Sequence, residues 1–230
     1  MAEATPTTYG LLGMLAVRSW TGYELTQQLK RSLRFVWSSS EGHLYREQKR
    51  LVELGWATVE KEPAGARSRN RYTITPEGET ALRAWLASTP EEPHFEIEGV
   101  LRVFYGDQGS VGDLVSSMES TAASARTMLV ELMGFVDEYL EEGGPLWMLE
   151  HAGGGPGERL EFRGRTMIPE RLHMIALVLD VVTLLLSDLE QFFTTGAAEA
   201  RTRQTTTDPA LTASTRRRLE AIRDRHRRRQ

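Results

Sequence analysis

The run from Ser38 to Tyr72 constrains the fold most, because within one short stretch the apolar period changes from that of a helix to that of a strand. Ser38, Ser39 and Ser40 offer an amino-terminal cap. Glu41 adds a first-turn carboxylate, and Leu44, Leu51 and Leu54 form a helical stripe that stops at Gly55. Trp56–Glu60 and Arg71–Ile74 then alternate as strands around a turn-rich loop, Pro63–Asn70, which carries Arg67 and Arg69. A capped helix followed by a basic hairpin predicts a winged helix-turn-helix.

The face of that helix away from the leucines carries His43, Tyr45, Arg46, Lys49 and Arg50, side chains long enough to reach phosphate oxygens or base edges in a major groove. A polar helix face of mixed charge is more often simply solvated. Here a basic wing follows it directly, which reverses that preference. The expected contacts to double-stranded DNA are therefore Ser38, Ser39, Ser40, His43, Tyr45, Arg46, Lys49 and Arg50 from the helix, with Arg67, Arg69, Asn70 and Arg71 from the wing.

A net charge of −4 argues against nucleic acid only if taken whole. Residues 1–90 hold 12 Lys/Arg against 9 Asp/Glu, residues 91–200 hold 6 against 20, and residues 201–230 hold 10 against 3. The charge is partitioned as it should be when one segment meets DNA and another does not. This predicts three parts: a DNA-binding domain at 1–90, a helical domain at 91–200, and a basic tail at 201–230, either disordered or a short helix whose arginines add nonspecific phosphate contacts.

Along the chain, Thr7 to Val17 reads as a mostly buried helix, and Thr21 or Gly22 opens a second with Tyr23, Leu25 and Leu29 facing inward. Pro76 starts a fourth through Ala81, Leu82, Trp85 and Leu86. The motifs Tyr9-Gly10-Leu11-Leu12, Gly22-Tyr23-Glu24-Leu25, Trp37-Ser38, Gly42-His43-Leu44-Tyr45, Leu54-Gly55, Arg71-Tyr72-Thr73-Ile74-Thr75 and Gly78 keep a fixed order. In that order they resemble the PadR family of transcriptional regulators over residues 7–90. The resemblance implies a homodimeric winged helix-turn-helix protein, usually a repressor, with the third helix in the major groove, the wing on the backbone and a helical dimerisation domain after it. Where the family commonly has Tyr-Pro-x-Leu, this chain has Tyr45-Arg46-Glu47-Gln48. Gln48 stands at an inward position, so either it finds hydrogen-bond partners or the helix packs less tightly.

Two long helices are expected beyond residue 91. The first runs from Ser110 or Asp113 to about Tyr139, with a seam of Leu114, Met118, Ala122, Ala125, Leu129, Leu132, Val136 and Tyr139. The second runs from Pro169 to Gly196, with a seam of Leu172, Ile175, Leu179, Val182, Leu186, Leu189 and Phe193. Surplus apolar positions at Leu177, Val178, Val181, Leu184 and Leu185 need a further cover, and a second subunit is the economical one. The seven seam residues of the second helix are the expected dimer contacts.

Chemistry finds no foothold in the pattern. With no cysteine there is no disulfide, thiolate nucleophile or cysteine-ligated metal. The five histidines show no ligand spacing. The glycine runs at 143–144 and 153–157 lack the Lys-Ser/Thr ending of a phosphate loop. Neither an enzyme nor a cofactor is expected. Trp147, Met148, Leu149, Phe162 and Met167, in a segment read as irregular, either pack in a core or anchor loops, or line an apolar pocket for a small-molecule effector. Residues 1–6 lack a secretory pattern, and the apolar run Met174–Leu186 is interrupted by Asp180 and reads as too short for a bilayer span, so a cytoplasmic protein without a membrane partner is expected. The fold expectation is mainly α. The rival functional expectation is a protein-interaction module whose helical domain recruits a partner.

Overall fold

The computed structural model describes residues 4–64, 67–93, 95–151, 159–162, 165–203 and 210–227. The 153–157 glycine run, the Asp208-Pro209 step, Arg228 and Arg229 lie outside them. The chain divides into two compact units, Met1–Pro93 with Tyr139–Ile175, and His94–Glu138 with Ala176–Gln230.

In the first unit α1 (Pro6–Leu15) begins at Thr5, whose hydroxyl and backbone exchange hydrogen bonds with Thr8 in a capping box. Strand β1 (Trp20–Thr21) leads into α2 (Gly22–Leu33), where Thr21 and Glu24 form a second capping box. Helix α3 (Glu41–Glu53) follows, then β2 (Ala57–Ala64), β3 (Arg67–Ile74) and α4 (Pro76–Ala87). The strands pair antiparallel in the order β1-β3-β2. Leu11, Leu12, Leu15, Leu25, Leu29, Leu44 and Leu51 meet Trp20 and Tyr72 in one core, each buried leucine stabilising by about 1.5–3 kcal/mol. This is the winged helix-turn-helix, with its two-stranded wing extended to three strands by β1.

The wing strands are longer than the sequence suggested. Arg69 and Asn70 lie within β3, opposite Glu62 and Lys61, so residues read as loop are paired backbone. Pro63 is tolerated because β2 is an edge strand with one side free of a ladder partner. The segment read as irregular contains α7 (Pro145–His151) and a small hairpin, β4 (Leu160–Phe162) with β5 (Arg165–Met167). Phe162 and Met167 are buried there.

The second unit contains α5 (Glu98–Phe104), a 3-10 turn at Gly106–Gln108, most of α6 (Val111–Leu140) and of α8 (Pro169–Arg201), and α9 (Leu211–Arg227). Ser110 and Asp113 cap α6 reciprocally. Arg126 pairs with Glu190 at 2.6 Å and Glu119 pairs with Arg201, so α6 and α8 run antiparallel. Met118, Ala122, Phe193 and Ala197 form the core between them. Gly196 does not end α8. Its missing side chain admits the Met118 methyl, since a Cβ there would lie 3.2 Å from it, and the helix continues five residues further. At 33 residues α8 is long and apolar enough, by length and composition alone, to cross a bilayer, which corrects the reading of its apolar run as too short. Part of the basic tail is the helix α9, held through Glu199, which accepts hydrogen bonds from Arg203 (3.0 Å), Ser214 (3.4 Å) and Arg218.

Candidate functional site

Helix α3 starts where Ser40 accepts the His43 backbone N–H, and Glu41 in its first turn pairs with Lys30 of α2 at 2.8 Å. The hydrogen bond and charge of Lys30 hold the Glu41 carboxyl below its usual range. The helix ends at Leu54, followed by Gly55 at φ 72°, a conformation that glycine adopts without strain. Its buried stripe is Leu44, Glu47, Gln48 and Leu51. Two of these four are polar. Glu47 accepts hydrogen bonds from Thr8 and Thr5 of the α1 cap and pairs with Arg50 at 3.3 Å. Gln48 donates to Gly22 O and Thr26 Oγ1 of α2.

The opposite face presents Tyr45, Arg46 and Lys49, all exposed as expected. His43 is half-buried, and Arg50 is turned back onto Glu47. Of the serines, Ser40 is the cap, Ser39 lies 3.5 Å from Thr7 and Ser38 is exposed. On the wing Arg69 and Asn70 are exposed, and Arg67 is placed by its backbone only. Arg71 is engaged within the domain, with Nε and a terminal nitrogen on Glu62 at 3.0 and 2.8 Å and the other terminal nitrogen on Ser19 O at 3.4 Å. Among the described residues Arg46, Lys49 and Arg69 have no ion-pair partner.

Lys49 and Arg69 share one open cleft of about 550 Å³, bounded by the start of α2 (Gly22, Tyr23), by α3 (Tyr45, Lys49) and by the wing (Arg69, Asn70). Tyr23 is the residue that the sequence reading placed wrongly. It is 65% exposed at the cleft edge, not inward. The signal was present: α2 buries Gly22, Leu25, Thr26 and Leu29, and position 23 lies two residues before Leu25, on the far side of the helix.

On α8 the structure buries Val182, Leu186 and Phe193, and leaves Leu172, Ile175, Leu179 and Leu189 half-buried. The surplus positions Leu177, Val178, Val181, Leu184 and Leu185 are exposed, as are Met174 and Phe192.

Among known proteins, the negative transcriptional regulator PadR of Bacillus subtilis is 26% identical over 140 residues, which span 52% of this chain and 77% of that protein. The crystal structure of B. subtilis PadR in complex with operator DNA superposes with a TM-score of 0.63 at 20% identity, covering 84% of this chain and 98% of that one. The same protein in complex with p-coumaric acid gives 0.59, again at 20% identity, covering 84% and 98%. The virulence activator AphA of Vibrio cholerae gives 0.60 at 18% identity, covering 85% and 98%. Residues 11–84 match the transcriptional regulator PadR-like family. Carrying that sequence match on a winged helix-turn-helix, the chain has at its amino-terminal end a domain of the PadR-like family of transcriptional regulators.

Proposed function

We propose that this protein is a cytoplasmic DNA-binding regulator that acts as a homodimer, seating α3 of each protomer in successive major grooves of a pseudo-palindromic operator and repressing transcription by occupying promoter DNA. One observation carries the reading: Arg46, Lys49 and Arg69 are exposed and have no ion-pair partner among the described residues, Lys49 and Arg69 lining a single cleft, while other arginines of the same domain, Arg50 and Arg71, are paired with carboxylates. Cations left unpaired on one face of a helix and its wing suit phosphates and guanine edges. Arg46 and Lys49 donate to base O6 and N7. Arg67, Arg69 and Asn70 hold the backbone, and Ser38, Ser39, Ser40 and His43 border the contact. Arg50 and Arg71 brace α3 and the wing from behind.

Repression is supported by the B. subtilis negative regulator, and release by a small-molecule effector by the complex of that relative with p-coumaric acid. Homodimerisation is supported by the exposed apolar stripe of α8. The same stripe supports the second reading, recruitment of a different protein.

Selection of bound sequences from random DNA by the purified protein tests the proposal. A recurring two-fold motif is expected, with binding that weakens steeply as salt rises. Arg46→Ala should then cost about 1–3 kcal/mol on the selected site and relax choice at one base position per half-site. An intact Arg46→Ala protein that binds every DNA as the parent does would remove α3 from the interface. Association through α8 that is insensitive to salt, with no DNA selected, would favour the interaction module.

A further inference from the structure

The stripe that α3 turns to the core carries a carboxamide where the PadR-like pattern has leucine. Gln48 is 1% exposed. Its Nε2 donates to the carbonyl oxygen of Gly22 at 2.9 Å and to Thr26 Oγ1 at 2.8 Å, and the Thr26 hydroxyl donates to the same Gly22 oxygen at 2.9 Å. A carbonyl can only accept, so the amide orientation is fixed chemically: the nitrogen, not the oxygen, faces the Gly22 carbonyl. Gly22 is part of the fit. A Cβ there would stand 2.8 Å from Gln48 Oε1 and 3.3 Å from Tyr72 Cε2, so α2, α3 and β3 meet at a point that only glycine admits without a shift.

A leucine would fill a comparable volume, but its contacts have no direction and tolerate small slides and rolls of one helix on another. Two hydrogen bonds near 2.9 Å do not. Glu47, the adjacent residue, is fixed to Thr5 and Thr8 of α1, about 100° around the same helix. Anchors to two different helices from successive residues set both the roll and the axial position of α3. Tyr45 and Lys49 lie three residues before and one after Gln48, and all three line the cleft with Tyr23 and Arg69.

We infer that Gln48, with Thr26 and Gly22 as its complement, is a positioning residue for sequence recognition, fixing where the exposed side chains of α3 stand relative to α2 and the wing. The inference rests on the DNA-reading assignment of α3. Gln48 itself touches no base; it acts through the placement of its neighbours. Its removal therefore affects discrimination between sequences and leaves the salt-dependent, sequence-independent attraction in place.

The test uses the full chain, the site obtained by selection and a scrambled duplex of equal length. Gln48→Met keeps the volume and deletes both hydrogen bonds. It should retain a cooperative thermal transition, affinity for the scrambled duplex and the parent salt slope on it, while the ratio of selected to scrambled affinity falls about tenfold, the scale of one mismatched base pair. Thr26→Val removes one acceptor without touching α3 and should move the ratio in the same direction by less. An unchanged ratio in a folded Gln48→Met protein overturns the inference while leaving the DNA-reading assignment intact. A parent protein that selects no sequence overturns both. Should Gln48→Met fail to fold, Thr26→Val decides alone, and an unchanged ratio there overturns the inference.

Discussion

Two helical glycines of the winged helix, Gly13 and Gly78, should respond to alanine with opposite signs. Gly13 lies in α1, and a Cβ built there meets nothing within 4 Å. Alanine at that position loses less backbone entropy on folding, so Gly13→Ala should stabilise by about 0.5–1 kcal/mol. Gly78 lies at the third position of α4, over the carbonyl of Trp56. A Cβ there would fall well inside the contact shell of Trp56 O, and 3.0 Å from both Ile74 Cγ1 and Trp56 C, against an optimum of about 3.5–4.0 Å for carbon pairs.

Relief by moving α4 outward is blocked. Thr75 N donates to the same Trp56 O at 3.0 Å, Thr75 Oγ1 donates to Gly55 O at 2.7 Å, and Gly78 N donates to Thr75 Oγ1 at 3.1 Å. A retreat of the helix opens its own amino-terminal cap, worth about 1 kcal/mol, while staying in place costs about 1–3 kcal/mol of overpacking. Subtracting the helical gain of alanine, midpoint of one range from midpoint of the other, leaves Gly78→Ala destabilised by about 1 kcal/mol, or roughly 4–8 °C in midpoint for a domain of this size. Thermal melts followed by far-ultraviolet circular dichroism, with urea titration to check that the slope is unchanged, measure both variants. A Gly78→Ala midpoint at or above the parent's, or a Gly13→Ala midpoint below it, would refute the steric reasoning.

Three further outcomes are expected. Leu184→Glu with Leu185→Glu, both on the exposed side of α8, should yield monomers in light scattering at micromolar concentration with unchanged helicity, and a persistent dimer would move the interface elsewhere. The Glu24 carboxyl is held below its usual range chiefly by the backbone N–H of Thr21, helped by the Thr21 hydroxyl and by Arg71 and Arg18 against the cost of burial. Its stabilisation is therefore present above the ordinary glutamate value of about 4.3 and is lost as pH falls through the lower folded value. Parent and Glu24→Gln should differ in urea midpoint at neutral pH and converge in acid, and a constant gap would show that the charge is not the cause. Glu199→Ala removes the acceptor shared by Arg203, Ser214 and Arg218, so amide exchange should rise within 211–227 and stay unchanged within 111–138.

The winged helix was legible because its signals are local. Caps at Thr21 and Ser40, Pro76 at the start of α4, a leucine stripe, and alternation in β2 and β3 each act within a few residues, and they agree with one another. What escaped depends on tertiary partners. Gly196 read as a helix end because glycine serves equally to stop a helix and to let another approach, and only the Met118 methyl tells the two apart. The polarity of Glu47 and Gln48 says that their hydrogen bonds must go somewhere, but their acceptors and donors lie 22 to 42 residues away. Helix α9 has a sparse apolar face and many arginines, the composition of a disordered tail, and Ser214 and Arg218 on it donate to a glutamate on α8 that the sequence does not mark. The ion pair of Arg71 with Glu62 depends on a hairpin register the sequence left open.

Helix α8 contains two apolar stripes, and the period alone does not say which one the protomer keeps. Leu172, Ile175, Leu179, Val182, Leu186, Leu189 and Phe193 repeat at steps of three and four. So do Met174, Val178, Val181, Leu185, Asp188 and Phe192. The difference lies in the small residues. The first stripe continues into Gly196, Ala197 and Ala200, all buried, and faces Ala122 and Met118, so the backbones of α6 and α8 can approach. The second has no small residue, and its large side chains remain exposed. It does contain Asp188. A carboxylate in the middle of a lipid-facing stripe costs about 2.5–3.5 kcal/mol, whereas one polar residue in the seam between two protein helices fixes their register at a cost in stability that the flanking apolar contacts offset. The placement of Asp188 therefore favours a second copy of the chain, not a bilayer, as the cover of this face.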